Sequence, residues 1–164
     1  MEGRFGRDTR LQELYADFMQ QYEDLGHMAA TARTNQEDDQ SCFLPHHGVL
    51  REGSSSTKLR VVFNGSATTA TGDSLNRHLL VGPNLLPALG DVLLRWRRHL
   101  YVLATDIEKM YHQILVNPED RHLQRIVWRY DTTEEAKDCE LNIVTYGLTC
   151  APFLAMRTLQ QLTV

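Results

Sequence analysis

Residues 102–116 read VLATDIEKMYHQILV. An apolar run that begins at Tyr101 ends on a lone carboxylate, Asp106, and an aromatic, Tyr111, stands five residues further on. Residues 101–107 have the composition of a buried strand, with Asp106 near its end. An ionised carboxylate is costly to bury unless something compensates it. Three partners are open to it. It can cap the following segment, it can pair with a cation such as Lys109, or it can hold a divalent metal. Hard cations such as Mg²⁺ take oxygen ligands and often use one or two carboxylates, with substrate phosphates completing the shell. A single aspartate does not choose between these.

The flanks give the organisation. Residues 9–25 carry Leu11, Leu14, Tyr15, Phe18, Tyr22 and Leu25 at helical spacing, with Thr9 and Gln12 placed as a capping box and Gly26 as a stop. Residues 29–41 are polar and aperiodic and read as a loop or partly disordered segment. In residues 42–66, CFLPHHGVLREGSSSTKLRVVFNGS, two apolar runs flank a Gly/Ser turn, which predicts a hairpin. On its second strand Leu59, Val61 and Phe63 face one way and Lys58 and Arg60 the other. Those cations fit a solvated face as well as a site. Residues 65–83 read as a loop. A helix over about 85–99 follows, with Leu86, Leu89, Val92, Leu93 and Trp96 on one side and RWRRH at its end, where the helix dipole favours cations. HQILV and RIVWRY read as strands, with the turn NPED and the polar segment RHLQ between them. TTEEAKD reads as a charged loop and LNIVTYGL as another strand. APFLAMRTLQQL reads as a helix with Pro152 in its first turn.

The totals bound the class. The 164 residues suffice for one modest domain, and 42% hydrophobic with 23% charged residues is ordinary for a globular chain. The longest apolar region is broken by Gly, Pro, Asn and Asp, so no membrane partner is expected. The N-terminus, MEGRFGRDTR, lacks the apolar core of a secretory signal, and three widely spaced cysteines suit free thiols. The expected location is therefore cytoplasmic. The net charge of −4 excludes a uniformly basic nucleic-acid coat. Residues 1–41 hold nine acidic against four basic residues, and the remainder twelve against thirteen, so a nucleic-acid cleft would be local to the second part. The adjacent His46 and His47 lie near Cys42. However, no CxxC, HxxxH or HExxH is present, and zinc has little support.

Four motifs in order change the weight of Asp106. Residues 106–111 resemble motif A of reverse transcriptases, an aspartate followed five residues later by an aromatic. YHQILVNPEDRHLQR resembles the Y-H-Q-I and P-E-D-R run of retroelement polymerases. KLRVVFNGS resembles the fingers strand K-x-R-x-V-x-D, and VTYGLTCAPFLAMRTL resembles motif B. LPHHGVLREGSSSTKLRVVF, LLVGPNLL and IEKMY narrow the resemblance to the Pao/BEL class of long-terminal-repeat retrotransposons, over about residues 9–162.

The resemblance implies an α+β fold, the fingers and partial palm of a right-hand polymerase, with an antiparallel sheet and flanking helices. It implies an N-terminal helix and linker over 1–41 and a fingers hairpin region over 42–83. A partial palm over 84–164 follows, with a fingers insertion at about 118–145. It implies an RNA-directed DNA polymerase, a nucleotidyltransferase using two Mg²⁺ ions. Its partners would be a primed RNA or DNA template, deoxynucleoside triphosphates and the rest of a retroelement polyprotein. Asp106 would be the catalytic, metal-binding carboxylate, with the Ile107 carbonyl as a further ligand. Arg60, helped by Lys58, would grip the triphosphate, which the backbone N–H groups of Lys109 and Met110 would also face. Tyr111 would be the sugar gate that rejects a 2′-hydroxyl by a clash. Tyr146 and Gly147 would flank the nascent base pair.

Two departures qualify these expectations. Asn64 stands where the fingers motif carries aspartate. Motif C, an aromatic-x-Asp-Asp hairpin, has no counterpart after motif B, and the sole Asp-Asp pair is Asp38–Asp39 in the N-terminal loop. The expectation is a fragment of a longer polyprotein, inactive alone. The alternatives are a non-catalytic nucleic-acid-binding relic or domesticated module, and a small α/β interaction domain whose motif matches are accidental.

Overall fold

The computed structural model describes residues 2–31, 41–51, 53 and 58–163. The fold is mixed α+β, with two small antiparallel sheets and flanking helices. A short helix, α1 (Glu2–Phe5), precedes α2 (Thr9–Asp24). The amphipathic pattern produces α2 as expected, burying Leu11, Tyr15 and Tyr22. Met19 joins that face, whereas Leu25 is exposed. The cap differs from the expected Thr9–Gln12 box. Asp8 caps the helix, its carboxylate accepting from the Leu11 N–H at 2.9 Å. Gly26 does stop it. At φ +70 its N–H reaches the Glu23 carbonyl and the His27 N–H reaches that of Tyr22, satisfying two terminal acceptors.

The first sheet has the order β1–β5–β4, with β1 (Met28–Ala30), β4 (Arg125–Trp128) and β5 (Lys137–Leu141) all antiparallel. β1 corrects the reading of 29–41 as loop at its start, and residues 32–40, including Asp38 and Asp39, lie outside the described residues. The charged segment 132–138 likewise yields to β5 from Lys137 onward. The strand reading of 141–148 fails beyond Leu141. There the backbone keeps isolated bridges, Leu115–Ile143 among them, and then turns. Buried Gln124 holds the turn-off, donating from Nε2 to the carbonyls of Leu141 and Ile143 at 2.5 and 2.9 Å. β4 and β5 also pair Arg125 with Glu140 in register. The guanidinium, 1% exposed, donates to that carboxylate at 2.7 and 3.0 Å and to Ser41 Oγ at 2.8 Å.

The second sheet is the expected hairpin, β2 (His46–Leu50) and β3 (Leu59–Phe63). Most of its Gly/Ser turn, residues 52 and 54–57, lies outside the described residues. Leu59, Val61 and Phe63 are buried and Lys58 and Arg60 exposed, as the alternation requires. The buried faces of α2, the hairpin and the three-stranded sheet meet in one core, which includes Tyr15, Met19, Tyr22, Val61, Phe63, Ile126 and Leu141. His46 bridges the layers. Its Nε2–H donates to the Val127 carbonyl at 3.2 Å, and its Nδ1 accepts from the Tyr15 hydroxyl. α5 (Ala151–Leu162) forms as expected, with Pro152 in its first turn.

The largest correction concerns residues 85–107. The helix spans only Leu89–Trp96 (α4; α3 is the single turn Leu75–His78), and no residue of α4 is buried. Pro87 disfavours helical backbone at the residue before it. The Asn84 side chain accepts from the Leu86 N–H instead, closing a local turn. Residues 101–107 form no helix or strand among the described residues, with Tyr101 85% and Leu103 97% exposed. An apolar run becomes a strand only when a neighbouring strand takes up its N–H and C=O groups, and none among the described residues does here. Of the expected strand HQILV, His112 and Gln113 lie in a 3₁₀ turn, Met110–Gln113, entered through Lys109 in the left-handed region at φ 50, while Leu115 keeps an antiparallel bridge to Ile143. NPED and RHLQ merge into a second 3₁₀ segment, Pro118–Gln124, capped by Asn117.

Candidate functional site

The hairpin and the loop before α5 converge on one another. The Tyr146 hydroxyl donates to the Val61 carbonyl, which ties that loop to β3. The Arg60 guanidinium carbon stands 5.1 Å from the Tyr146 ring centre. A planar guanidinium stacks well on an aromatic face and keeps its N–H groups available for phosphate or carboxylate oxygens. Burial raises the Tyr146 hydroxyl above its ordinary pKa, with Arg60 opposing, so the phenol stays protonated and can donate. Gly147 sits at φ +105, and a Cβ there would lie 2.4 Å from the Phe63 carbonyl oxygen. Both the backbone angle and the close approach demand glycine. Thus residues 60 and 61 meet 146, and residue 63 meets 147.

Sequence reasoning missed the side chain that fastens this loop. Asn76, in α3, donates from Nδ2 to the Gly147 carbonyl at 2.9 Å and to Ser66 Oγ at 2.8 Å. Its Oδ1 accepts from the Thr149 N–H at 3.0 Å. A lone asparagine in a loop rich in Gly, Ser and Thr carries no signal of that role. Asn64, the departure from the fingers pattern, closes its own turn by accepting from the Ser66 N–H at 3.1 Å.

The 3₁₀ turn comes to the same place through His112, whose ring lies 6.1 Å from that of Tyr146 and within 18° of parallel. Tyr111 beside it is half-buried and packs against the core, and Met110 is half-buried. Behind His112 stand Tyr22, edge-on at 5.3 Å, and His27, at 5.1 Å. Burial, with His27 and Lys109 adding, holds the His112 imidazole down to about 4, so it is neutral at pH 7. His27 is lowered too, by burial and then by Lys109.

Asp106 corrects the premise on which its reading began. It is exposed, in the irregular segment 101–107, and no cost of burial has to be offset. Ile107, Lys109 and Lys58 are exposed as well. Among the described residues no three His, Cys, Asp or Glu side chains gather into a metal-holding group. The donor chemistry at Asp106 nonetheless suits Mg²⁺, a carboxylate and the Ile107 carbonyl being hard oxygen ligands that leave places for water and phosphate oxygens. Cys42, Cys139 and Cys150 are free thiols, each raised in pKa by burial. Among the described residues no helix is long and apolar enough to cross a membrane. No family model matches the chain, and no curated protein matches it.

Proposed function

We propose that the chain forms the fingers and part of the palm of an RNA-directed DNA polymerase, the reverse transcriptase of a Pao/BEL-class retrotransposon. The observation that carries this reading is the meeting of Arg60 and Val61 with Tyr146, and of Phe63 with Gly147, from two stretches of sequence that resemble the fingers strand and motif B. An accidental motif match gives no reason for those stretches to touch. In this reading Arg60 grips the triphosphate through its guanidinium fork, with Lys58 adding charge. Gly147 lets the backbone approach the nascent base pair. Tyr111 excludes a 2′-hydroxyl, and the backbone N–H groups of Lys109 and Met110 face the phosphates. Asp106 and the Ile107 carbonyl would hold Mg²⁺, which when bound neutralises phosphate charge and favours ionisation of the primer 3′-hydroxyl.

Motif C has no counterpart after motif B in this sequence, so Asp106 is the one carboxylate that the resemblance assigns to the metal. Nucleotide binding, rather than primer extension, is therefore the expected activity of the 164-residue chain. The partners in this reading are a primed template, deoxynucleoside triphosphates and the other parts of a retroelement polyprotein. The test is Mg²⁺-dependent binding of dTTP. Binding that weakens at least tenfold in Arg60→Ala supports the reading. Nucleic-acid binding that falls with salt, with no triphosphate binding, would favour the relic. The absence of both would leave an interaction domain.

A further inference from the structure

The long, flexible side chain of Arg60 leaves an exposed face of β3, and an unrestrained guanidinium would lose rotamer freedom on gripping a ligand. Here it already rests on the Tyr146 ring. That ring is fixed at one end by the Val61 carbonyl and lies 6.4 Å from Phe63. His112 lies nearly parallel to it. His112 is fixed in turn. Its backbone N–H donates to the Lys109 carbonyl at 2.7 Å, closing the 3₁₀ turn. Its Nε2 lies 3.3 Å from the Tyr22 hydroxyl, within hydrogen-bond reach, and Tyr22 is anchored in the core on α2.

We propose that His112 is a positioning residue: stacked on Tyr146, it fixes the ring that carries Arg60 and so sets the pose in which the guanidinium meets a nucleotide triphosphate. The inference rests on the triphosphate-gripping role of Arg60 proposed above. It adds a residue on the 3₁₀ turn, 52 positions away in sequence from the arginine it serves. The requirement on residue 112 is a flat, uncharged ring. A cation there would repel the guanidinium and Lys109, and an aliphatic side chain would fill the space without holding the Tyr146 plane. The groups facing His112 are Tyr22 from α2, His27 from the segment after it, Tyr146 from the motif B loop and Lys109 from its own turn. None of them supplies a negative charge that would stabilise an imidazolium.

The test is a double-mutant cycle in the full 164-residue chain, read as the affinity for dTTP with Mg²⁺ at pH 7. His112→Ala is expected to weaken binding roughly threefold to tenfold, the range a cation–ring contact supports. In an Arg60→Ala background the same change should cost nothing further, because the group it positions is gone. His112→Phe, which keeps a flat neutral ring, should bind as the parent does. If His112→Ala does not fold, His112→Gln replaces it in the same cycle, since Gln fills space without a ring plane. Unchanged affinity in the ring-less variant would overturn the positioning role. So would a loss that persists in full without Arg60, while either result leaves the triphosphate reading standing. Unchanged affinity in Arg60→Ala alone would overturn both.

Discussion

The Gly147 α-carbon faces the Phe63 carbonyl so closely that a methyl group added to it would stand 2.4 Å from that oxygen, well inside van der Waals contact. The opposing atom is backbone within a hairpin strand and cannot swing aside. Gly147→Ala would also place a side chain at φ +105. The expected cost is roughly 2–4 kcal/mol, from backbone strain and displaced packing together. A urea titration measures it, and a midpoint equal to the parent's would show that this loop is not packed against β3.

Arg125 and Glu140 face each other across β4 and β5, with the guanidinium almost wholly enclosed. Removing the carboxylate in Glu140→Ala takes away a charge-assisted pair of hydrogen bonds from a buried cation. The expected loss is about 2–4 kcal/mol. Arg125→Met, which removes the buried charge itself, should cost less than Glu140→Ala. The reverse order in denaturant midpoints would show that the pair stabilises the sheet through attraction rather than by satisfying a desolvated cation.

Burial depresses the imidazoles of His46 and His112, the latter to about 4. Each is neutral in both states above the unfolded pKa of about 6.5, so neither affects stability there. Between that value and the lowered folded one the unfolded chain binds protons that the folded chain does not. Stability therefore falls as pH drops from about 6.5 toward 4, and this decline ends below the folded pKa. Urea midpoints at pH 7, 5.5 and 4.5 should fall in that order, and His112→Phe should fall less steeply. An equal slope in that variant would place the titration elsewhere.

Leu103 stands 97% exposed, three residues before Asp106 in the irregular segment 101–107. Leu103→Glu is therefore expected to change the unfolding free energy, read by urea titration, by no more than about 0.5 kcal/mol, as for other surface positions. It should also reduce concentration-dependent association, since Leu89, Leu93, Leu94 and Leu100 expose further apolar surface nearby in the sequence. A loss of several kcal/mol would mean that this segment is a buried strand after all.

What could be read from the sequence was what local pattern determines. The face of α2 repeats every three or four residues and the hairpin alternates every two, and both formed where the pattern placed them. The contact of Arg60 with Tyr146 follows from no local pattern, since it joins two stretches far apart in sequence. Features that depend on a distant partner were not legible. Residues 101–107 have strand composition, yet a strand needs a neighbour. Arg125 carries no sequence sign of burial, and only the register with Glu140 makes it a core residue. Met19 packs in the α2 face without disturbing its periodicity, and Asn76 and His112 gain their roles from loops that fold onto them. The left-handed Lys109 carries no sequence signal, since glycine is the residue that usually marks such a turn.

The central claim is that this surface recognises a magnesium-bound deoxynucleotide. Calorimetric titration of dTTP and of the ribonucleotide UTP, each with Mg²⁺, into the parent chain, Asp106→Asn and Tyr111→Ala tests it most directly. The account predicts that the parent prefers dTTP, that Asp106→Asn loses the Mg²⁺-dependent part of binding, and that Tyr111→Ala admits both nucleotides alike. Equal binding of the two nucleotides by the parent, or Mg²⁺-dependent binding unchanged in Asp106→Asn, would contradict it.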